Sequence, residues 1–312
     1  MGKDMRQVYA ETLVSLAEKD PRICVLEADL MNANGTKIFK QRFPERMFDV
    51  GVAEANMVGI ASGLSAEGKI PFAASFGTFA SRRTFDQFFI SANYAQLNVK
   101  LVGTDPGITA QYNGGTHMPF EDIGLMRLIP NIVIIEPSDI VSCKALIRAA
   151  AAHYGSMYIR MHRKGSNTIY KEDEQFELGK GKVLVDGTDV TLIAAGFVMI
   201  PEALKAAELL KGQGISAAVI DMHTIKPLDT ELVLSYAKKT GAVVTCENHQ
   251  IIGGLGGAVA ELLSEEHPTP LGRIGAQDIF GQVGTQEYLL KTYQMTAEDI
   301  THKAMTVIKK KH

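Results

Sequence analysis

The 312-residue sequence has no tryptophan, few cysteines and little net charge. The absence of tryptophan excludes nothing. The three cysteines, Cys24, Cys143 and Cys246, are scattered and without metal-ligand spacing, which is typical of buried thiols in a reducing compartment. A formal net charge of −3 gives no reason to expect nucleic acid or an anionic membrane as a partner.

The chain also lacks a long apolar run. Its most apolar stretch, Val190–Ile200, has about half the length that a bilayer span requires, and it ends at Pro201. The N-terminal sequence MGKDMRQVYAETL carries charges where a signal peptide needs an apolar segment. We therefore expect a cytoplasmic protein that does not bind membranes.

Short apolar strands alternate with helices along the sequence. The first half contains five such strands: Ile23–Leu26, Phe72–Ala74, Val99–Val102, Ile132–Ile135 and Met157–Arg160. Helices are predicted at Glu54–Ala66, closed by Gly68, and at Asp139–Ala152, with Ser138 as the N-cap. This alternation predicts an α/β fold with a mostly parallel sheet covered on both faces.

A polar, glycine-containing stretch, Lys164–Gly187, separates this half from a second strand and helix alternation. The second half is predicted to contain a strand at Val190–Ala195, followed by a helix from Pro201 to Gly212. Further strands are expected at Ala217–Asp221 and Ala242–Glu247. We predict a first domain at 1–165, a linker at 166–186 and a second domain at 187–312.

The glycine-rich turn at 253–257 follows a strand and opens a helix, as a dinucleotide-binding turn does. Its spacing is not GxGxxG, and no acidic residue ends a next strand about twenty residues further on. The sequence therefore favours a structural tight turn over an NAD site.

Three separated segments carry chemistry when they are read together: Val50–Leu64 (VGVAEANMVGIASGL), Ser75–Arg83 (SFGTFASRR) and Asn113–Asn131 (NGGTHMPFEDIGLMRLIPN). In this order and spacing they resemble the pyrimidine-binding domain of transketolases, the thiamine diphosphate enzymes that move two-carbon ketol units between sugars. The resemblance covers nearly the whole chain. It implies a parallel-sheet pyrimidine-binding domain followed by the α/β C-terminal domain of that family.

The resemblance implies two catalytic residues. Glu54 matches the family glutamate that hydrogen-bonds N1′ of the aminopyrimidine, and His117 matches the histidine that contacts the ketose oxygens. By itself, Glu54 is better explained as an acid in the first turn of a helix, favoured by the helix dipole, and only the Val50–Leu64 segment and the aromatic segment that follows it favour the catalytic role. By itself, His117 is a loop histidine of the kind usually found at a surface.

The resemblance also implies a cofactor-binding set. Phe76 and Phe79 match the two rings that pack beside and stack on the pyrimidine, although an isolated F-x-x-F is usually core packing. Asp29 and Leu30 match residues on the thiazolium side, and as a structural alternative Asp29 caps the turn after a strand. Arg82 stands where many transketolases have a tyrosine and where deoxyxylulose phosphate synthases have an arginine.

Three further residues are implied to bind the substrate. Asn113 stands where transketolases often have an aspartate that checks a sugar hydroxyl. Arg6 and Arg163 match two arginines that grip the substrate phosphate. The serine and histidine of that subsite are replaced by Ala33 and Asp105, so an anionic ketose is expected with an altered tail subsite, and phosphorylated, sulfonated and branched sugars stay open.

One family motif is missing. Transketolases hold the cofactor diphosphate through a divalent cation bound by Gly-Asp-Gly and a later asparagine, and no Gly-Asp-Gly occurs in this sequence. We therefore expect no metal site in this chain. The resemblance implies a C-terminal subunit whose N-terminal partner carries the diphosphate-binding domain with Mg²⁺ or another divalent cation, most simply as α2β2.

The resulting hypothesis is a split transketolase subunit that transfers a two-carbon ketol unit from a ketose to an aldose. Two alternatives stay open. The first is the β subunit of a 2-oxoacid dehydrogenase, which shares this domain pair. The second is a non-catalytic homologue that regulates a partner.

Overall fold

The computed structural model describes residues 3–311, and these residues divide into two compact units. The first unit comprises residues up to Pro106 and residues 125–178, and the second comprises Gly107–Gly124 and residues from Gly179 onward. Both units are α/β, so the predicted fold class is confirmed. Among the described residues, no helix is both long and apolar enough to cross a membrane.

The first unit is built around a parallel sheet. Its strands are β1 (Ile23–Glu27), β2 (Met47–Asp49), β3 (Ile70–Phe76), β4 (Lys100–Thr104), β5 (Val133–Ile135) and β6 (Met157–Met161). They lie in the order β5-β6-β4-β3-β1-β2, and every neighbouring pair is parallel. Every residue of β1, β4, β5 and β6 is buried, as expected for strands covered on both faces.

Helices connect these strands. They are α1 (Met5–Ala17), α2 (Met31–Asn34), α3 (Lys37–Arg42), α4 (Glu54–Ala66), α5 (Gly77–Arg82), α6 (Phe85–Gln87), α8 (Ile140–Ala152) and α7 (Asp122–Arg127), of which residues 122–124 belong to the second unit. A π-helical segment, Phe88–Tyr94, follows α6. Helix α4 has the predicted bounds, and Gly68 beyond its end adopts the left-handed conformation that favours glycine (φ 80°).

The second unit has a five-stranded sheet in the order β12-β11-β8-β9-β7. Its strands are β7 (Lys182–Val185), β8 (Val190–Ala194), β9 (Ala217–Asp221), β11 (Val243–Gln250) and β12 (Leu271–Ala276); β10 (Thr224–Lys226) is a further short strand. Its helices are α9 (Gly196–Lys211), α10 (Thr230–Thr240), α11 (Leu255–Glu266), α12 (Gln286–Thr292) and α13 (Ala297–Ile308). Only the β7–β9 pair is antiparallel within this sheet.

Residues 107–124 belong to the second unit although they interrupt the first in sequence. The Ile108 N–H donates to Asn248 Oδ1 at 2.9 Å, and the Gln250 N–H donates to the Phe120 carbonyl at 3.0 Å. The predicted domain boundaries stay a prediction, and they did not anticipate this exchange. The contacts join residues far apart in the chain, and no local pattern encodes them.

Two sequence predictions were wrong in detail. The N-cap of α8 is Asp139, whose carboxylate accepts from the Ser142 N–H at 2.7 Å, so Ser138 lies outside the helix. Helix α9 begins at Gly196, and Pro201 lies inside it, because the apolar run continues from the buried strand into a buried helical turn. The segment 166–186, whose role as a linker stays a prediction, includes β7, which pairs with β9.

The glycine-rich turn at 253–257 is structural, as the sequence favoured. Glu247 is 1% exposed, and its carboxylate accepts from the backbone N–H groups of Leu255 at 2.7 Å and Gly256 at 2.9 Å, at the start of α11. A Cβ on Gly254 would lie 1.9 Å from Glu247 Oε2, so only glycine fits there. The helix N-terminus that a pyrophosphate would need is occupied by a carboxylate of the chain itself.

Candidate active site

The carboxyl edge of the first sheet gathers most of the predicted residues. Phe76 ends β3 and pairs with Thr104 of β4, which in turn pairs with Met161 of β6. Asp105 and Arg163 follow these two strands and emerge at the same edge. Ligands of open α/β sheets bind at this edge, because the connecting loops converge there.

Glu54 is the first residue of α4, and it is 2% exposed. Its Oε1 accepts from the hydroxyl of Ser75 on β3 at 3.2 Å. Nη1 of Arg83 lies 3.3 Å from Oε1 and 3.1 Å from Oε2. The carboxylate is therefore held in a defined orientation by one neutral and one charged donor, as a buried charge requires.

Phe76 and Phe79 form a tilted aromatic pair, and Arg83 contacts both Glu54 and the ring of Phe79. Their ring centroids are 6.4 Å apart, and the planes are inclined by 47°. Both rings are only half-buried, in contrast to the fully buried phenylalanines of this unit such as Phe72 and Phe88. The rings therefore retain open surface and are not ordinary core packing.

Two guanidinium groups lie over these rings. Cζ of Arg83 is 4.0 Å from the centroid of Phe79, and Cζ of Arg163 is 4.8 Å from the centroid of Phe76. Such cation–π contacts favour the flat stacking of a guanidinium on a ring. Arg163 thereby connects the aromatic pair with the cluster that was predicted to bind the substrate.

Arg83 is a site residue that sequence reasoning missed. The predicted residue, Arg82, is exposed and donates through Nη2 to the Thr78 hydroxyl, whereas Arg83 contacts Glu54. The signal that could have found it is spacing, because Arg83 follows Phe79 by four residues and so lies on the same side of the helical turn. Ser75 was missed because nothing in a strand sequence reveals which helix its hydroxyl will face.

The residues predicted for the anionic tail lie together. The Ala33 carbonyl accepts from Nη1 of Arg6 at 3.1 Å and from Nη1 of Arg163 at 3.4 Å. Nη2 of Arg163 donates to Asp105 Oδ2, and Nη2 of Arg6 lies 3.3 Å from Asp4 Oδ2. Two guanidinium groups are thus matched by two carboxylates.

Burial lowers the pKa of the neighbouring His162 to about 4, so this histidine is neutral near pH 7 and adds no charge to the cluster. Arg163 and Asp105 are both nearly fully buried. A buried guanidinium that is already paired within the chain offers an incoming anion less attraction than a free one would.

Asp29 and Leu30 follow β1 in a tight turn. Asp29 is exposed, and its backbone is in the left-handed conformation (φ 60°). Its N–H donates to Asp49 Oδ1 at 3.0 Å. The same oxygen accepts from the Gly51 N–H at 3.1 Å, so Asp49 joins the turn after β1 to the loop that precedes Glu54. A cleft of about 370 Å³ lies beside Asp29 and Asp49.

A buried acid lies just behind this turn. Glu27, the last residue of β1, accepts from Asn34 Nδ2 and from the Thr36 hydroxyl, each at 2.7 Å. Burial raises the pKa of Glu27 to about 8, against the opposing effect of these two hydrogen bonds. Glu27 is therefore a neutral acid over much of the physiological range.

Asn113 and His117 lie in the second unit, on two short 3₁₀ turns, Gly107–Asn113 and Gly115–His117. Asn113 is exposed and His117 is half-buried. Nδ1 of His117 is 2.9 Å from the Thr116 hydroxyl, and its backbone N–H donates to the Gly114 carbonyl at 3.0 Å. A Cβ on Gly115 would lie 2.3 Å from the Gly281 carbonyl, so this turn packs tightly against its own unit.

Within the described part of the chain, no group of three or more His, Cys, Asp or Glu side chains is arranged to hold a metal ion. The arrangement in the first unit is instead that of a polar and aromatic cleft. It combines a buried carboxylate, two open rings and a charge-balanced pair of arginines.

Comparison with known proteins identifies the family. Residues 1–167 match the family described as "Transketolase, pyrimidine binding domain", and residues 179–300 match "Transketolase, C-terminal domain". The chain therefore belongs to the transketolase family, and it comprises the pyrimidine-binding and C-terminal domains of such proteins.

Two curated relatives are similar over nearly their full length. The "6-deoxy-6-sulfo-D-fructose transketolase subunit SqwH" of Clostridium sp. (strain MSTE9) is 51% identical over 308 residues, covering 99% of this chain and 95% of that protein. The "Putative transketolase C-terminal section" of Methanocaldococcus jannaschii is 47% identical over 311 residues, covering 99% and 97% respectively.

A solved structure shares the whole fold. The "Split gene transketolase, inactive beta4 tetramer" superimposes with a TM-score of 0.93 at 43% identity, and the match covers 100% of both chains. The chain thus corresponds to the C-terminal section of a transketolase, as the sequence predicted.

Proposed function

We propose that this chain is the C-terminal subunit of a two-chain transketolase that uses thiamine diphosphate to move a two-carbon ketol unit from an anionic ketose to an aldose. The observation that carries the proposal is the buried carboxylate of Glu54 beside the half-open rings of Phe76 and Phe79. The similarity to a sulfofructose transketolase subunit supports the reaction class.

The cleft fits the pyrimidine half of the cofactor. A flat group that donates N–H to Glu54 and lies on Phe79 is already present in the form of the Arg83 guanidinium. An aminopyrimidine is also flat and makes the same two kinds of contact. When bound, thiamine diphosphate supplies the electron sink that ketol transfer requires.

In this proposal Glu54 keeps a proton on the ring nitrogen of the pyrimidine, and the Ser75 hydroxyl fixes the carboxylate for that task. Phe76 and Phe79 orient the ring through apolar and stacking contact. Asp29 and Leu30 bound the thiazolium side, and Arg82, three residues after Phe79 in sequence, is proposed to contact the cofactor. Most of these side chains come from strand ends and helix starts, which hold them in place without large loop movements.

Asn113 and His117 are proposed to contact the sugar oxygens. The Thr116 hydroxyl beside Nδ1 restricts the ring orientation of His117. A neutral or protonated imidazole donates a hydrogen bond to a carbonyl oxygen and exchanges protons with a hydroxyl.

Arg6 and Arg163 are proposed to bind the anionic tail of the ketose. Because Asp105 and Asp4 balance their charge, the cluster suits a sulfonate, which carries one negative charge, better than a phosphate, which carries nearly two near pH 7. We therefore propose a sulfonated ketose such as 6-deoxy-6-sulfofructose as the donor, in agreement with the name of the 51% identical relative.

The cofactor diphosphate needs a divalent cation that we assign to a separate partner chain. The sequence contains no Gly-Asp-Gly motif, and we propose that an N-terminal transketolase subunit supplies it together with Mg²⁺ or a similar ion. The proposed assembly is α2β2.

The test is a reconstitution of the two chains with thiamine diphosphate and Mg²⁺. We expect ketol transfer from 6-deoxy-6-sulfofructose to an aldose phosphate, with slower transfer from fructose 6-phosphate. Glu54→Gln should reduce turnover by at least about a thousandfold, because the proton on the ring nitrogen is no longer held by a carboxylate. Size-exclusion chromatography of the variant controls for intact assembly.

Three results would contradict the proposal. Decarboxylation of a 2-oxoacid without ketol transfer would favour the 2-oxoacid dehydrogenase alternative. Cofactor binding without turnover of any ketose would favour the regulatory alternative. Full activity of Glu54→Gln would remove the mechanism.

A further inference from the structure

Arg83 makes two contacts that the proposed function assigns to the cofactor. Its Nη1 lies 3.1 Å and 3.3 Å from the two oxygens of Glu54, and its Cζ lies 4.0 Å over the Phe79 ring. The guanidinium is planar and presents N–H donors at its edge, as an aminopyrimidine does. One side chain thus reproduces both recognition elements of the pyrimidine subsite.

Resting on the proposed function, we propose that Arg83 is an internal occupant of the pyrimidine subsite that the cofactor displaces. The guanidinium and a pyrimidine ring compete for the same carboxylate and the same aromatic ring. Arg83 is thus a positioning residue of the free chain, and it acts through Glu54.

The burial of the two partners supports displacement. The Glu54 side chain is 2% exposed, whereas that of Arg83 is 48% exposed. Arg83 is therefore the mobile member of the pair, and it reaches water by rotation of its own side chain. Glu54 stays in place, held by the Ser75 hydroxyl.

Arg83 also supplies the counter-ion of the buried Glu54 carboxylate when no cofactor is bound. A buried carboxylate without a counter-ion is costly, and Ser75 alone supplies a single neutral donor. Arg83 balances this charge in the free chain and leaves the carboxylate oriented to accept a hydrogen bond from the ring nitrogen of the pyrimidine. The cost is competition, because the cofactor must first displace a contact within the chain.

The test measures cofactor affinity of the reconstituted two-chain complex by isothermal titration calorimetry with thiamine diphosphate at fixed Mg²⁺. Wild type is compared with Arg83→Met, which keeps an unbranched stem as far as the Nε position but removes the charge and the N–H donors. Since a half-exposed ion pair is weak, removing the competitor should tighten binding by about two- to fivefold. The same variant should lower the denaturation midpoint of the chain measured alone.

Arg42→Met is the matched control. Arg42 also pairs with a carboxylate, that of Glu18 at 3.5 Å, and lies 5.7 Å from the centroid of a phenylalanine, Phe43. It is located on α3 and does not contact Glu54, so its replacement should leave the dissociation constant unchanged.

A second measurement tests whether an added guanidinium compound can occupy the subsite in place of the Arg83 side chain. In Arg83→Gly, millimolar methylguanidinium should compete with thiamine diphosphate and raise its apparent dissociation constant, whereas the same salt should not affect Arg42→Gly. Competition confined to Arg83→Gly supports the proposal even if the methionine variant folds poorly. Absence of competition in a folded Arg83→Gly complex argues against it.

The outcomes separate this proposal from the proposed function. If wild type binds thiamine diphosphate and Arg83→Met binds it equally or more weakly, the displacement is overturned and the transketolase function is unaffected. Binding by Arg83→Met but not by wild type supports the displacement strongly. No binding by either complex overturns both.

Discussion

At the scale of single residues, the carboxylate of Asp105 distinguishes the proposed tail subsite from one built for phosphate. Asp105 is paired with Arg163, and it removes attraction that a phosphate dianion would otherwise receive. A sulfonate needs less compensation because it carries a single charge. In the proposed function, the preference for the anionic tail depends on Asp105 through its pairing with Arg163.

Asp105→Asn is expected to shift specificity toward phosphate. The variant keeps the size of the side chain and frees the Arg163 charge, so the ratio of kcat/KM for fructose 6-phosphate to that for 6-deoxy-6-sulfofructose should rise by about tenfold, equivalent to about 1.4 kcal/mol. Steady-state kinetics with both donors gives the ratio. Asp173→Asn, at an exposed aspartate, serves as the control, and an unchanged ratio in Asp105→Asn would separate the charge pair from specificity.

Glu27 makes the stability of the chain dependent on pH. The pKa of Glu27 is raised from its ordinary value of 4.5 to about 8 by burial, so between these values the folded chain retains a proton that the unfolded chain releases. Stability is therefore highest below pH 4.5 as far as this group is concerned, and it is lost as the pH rises toward about 8.

Glu27→Gln is expected to remove this loss of stability with rising pH. Between about pH 5 and pH 8, the free energy of unfolding of wild type should fall relative to the variant by at most about 1.4 kcal/mol per pH unit, the value for one proton. Urea denaturation at several pH values measures both slopes. Glu11→Gln, at an exposed glutamate on α1, should keep the wild-type slope. Parallel curves for wild type and Glu27→Gln would show that Glu27 is already ionised.

At the scale of elements, the start of α11 depends on a side chain from the preceding strand. Glu247 of β11 accepts two backbone N–H groups that helix geometry leaves without partners. The negative charge also complements the positive end of the helix dipole. The Glu247 carboxylate thus lies against the turn between β11 and α11 and leaves no room for a Cβ at position 254, so the turn requires glycine there.

Glu247→Ala is expected to destabilise the chain by about 3 kcal/mol, because two buried N–H groups lose a charged acceptor. Glu247→Gln, which keeps one acceptor oxygen, should cost less. Glu265→Ala, at an exposed glutamate on α11, should change stability by less than about 0.5 kcal/mol. Urea midpoints compare the three variants, and equal midpoints for Glu247→Ala and Glu265→Ala would rule out this capping role.

At the scale of the whole molecule, the loop that carries Asn113 and His117 is built by the second unit. Its anchor is Asn248, which accepts from the Ile108 N–H across 140 residues of chain. A Cβ on Gly107 would lie 2.1 Å from the same oxygen, so the approach is close. The predicted substrate residues therefore depend on a distant strand.

Asn248→Ala is expected to loosen this loop. The variant leaves a buried N–H without its acceptor, and kcat/KM for the ketose should fall by about tenfold while the dissociation constant for thiamine diphosphate stays within twofold. Calorimetry and steady-state kinetics on the reconstituted complex separate the two quantities. An equal loss of cofactor affinity would mean that Asn248 acts on the cleft as a whole.

Much of the fold could be predicted because local chemistry encodes it. Helix α4 has the predicted bounds, since Glu54 suits a first turn and Gly68 a left-handed residue after the end. The strands follow from short apolar runs. The start of α9 was predicted too late, because Pro201 suits the first turn of a helix. The helix begins at Gly196 instead, since the turn before Pro201 is buried.

The sequence by itself determined the α/β class, the family and the identity of Glu54 and the aromatic pair as site residues to be tested, because these depend on residue types at fixed spacing. Only the tertiary structure decided that Arg83 faces Glu54, that Asp105 pairs with Arg163, and that residues 107–124 join the second unit. The physical reason is that these contacts are between side chains and backbone groups on different elements. Spacing along the chain places Arg83 on the same side of the helical turn as Phe79, but which residues of other elements these groups contact is fixed by how strands and helices pack.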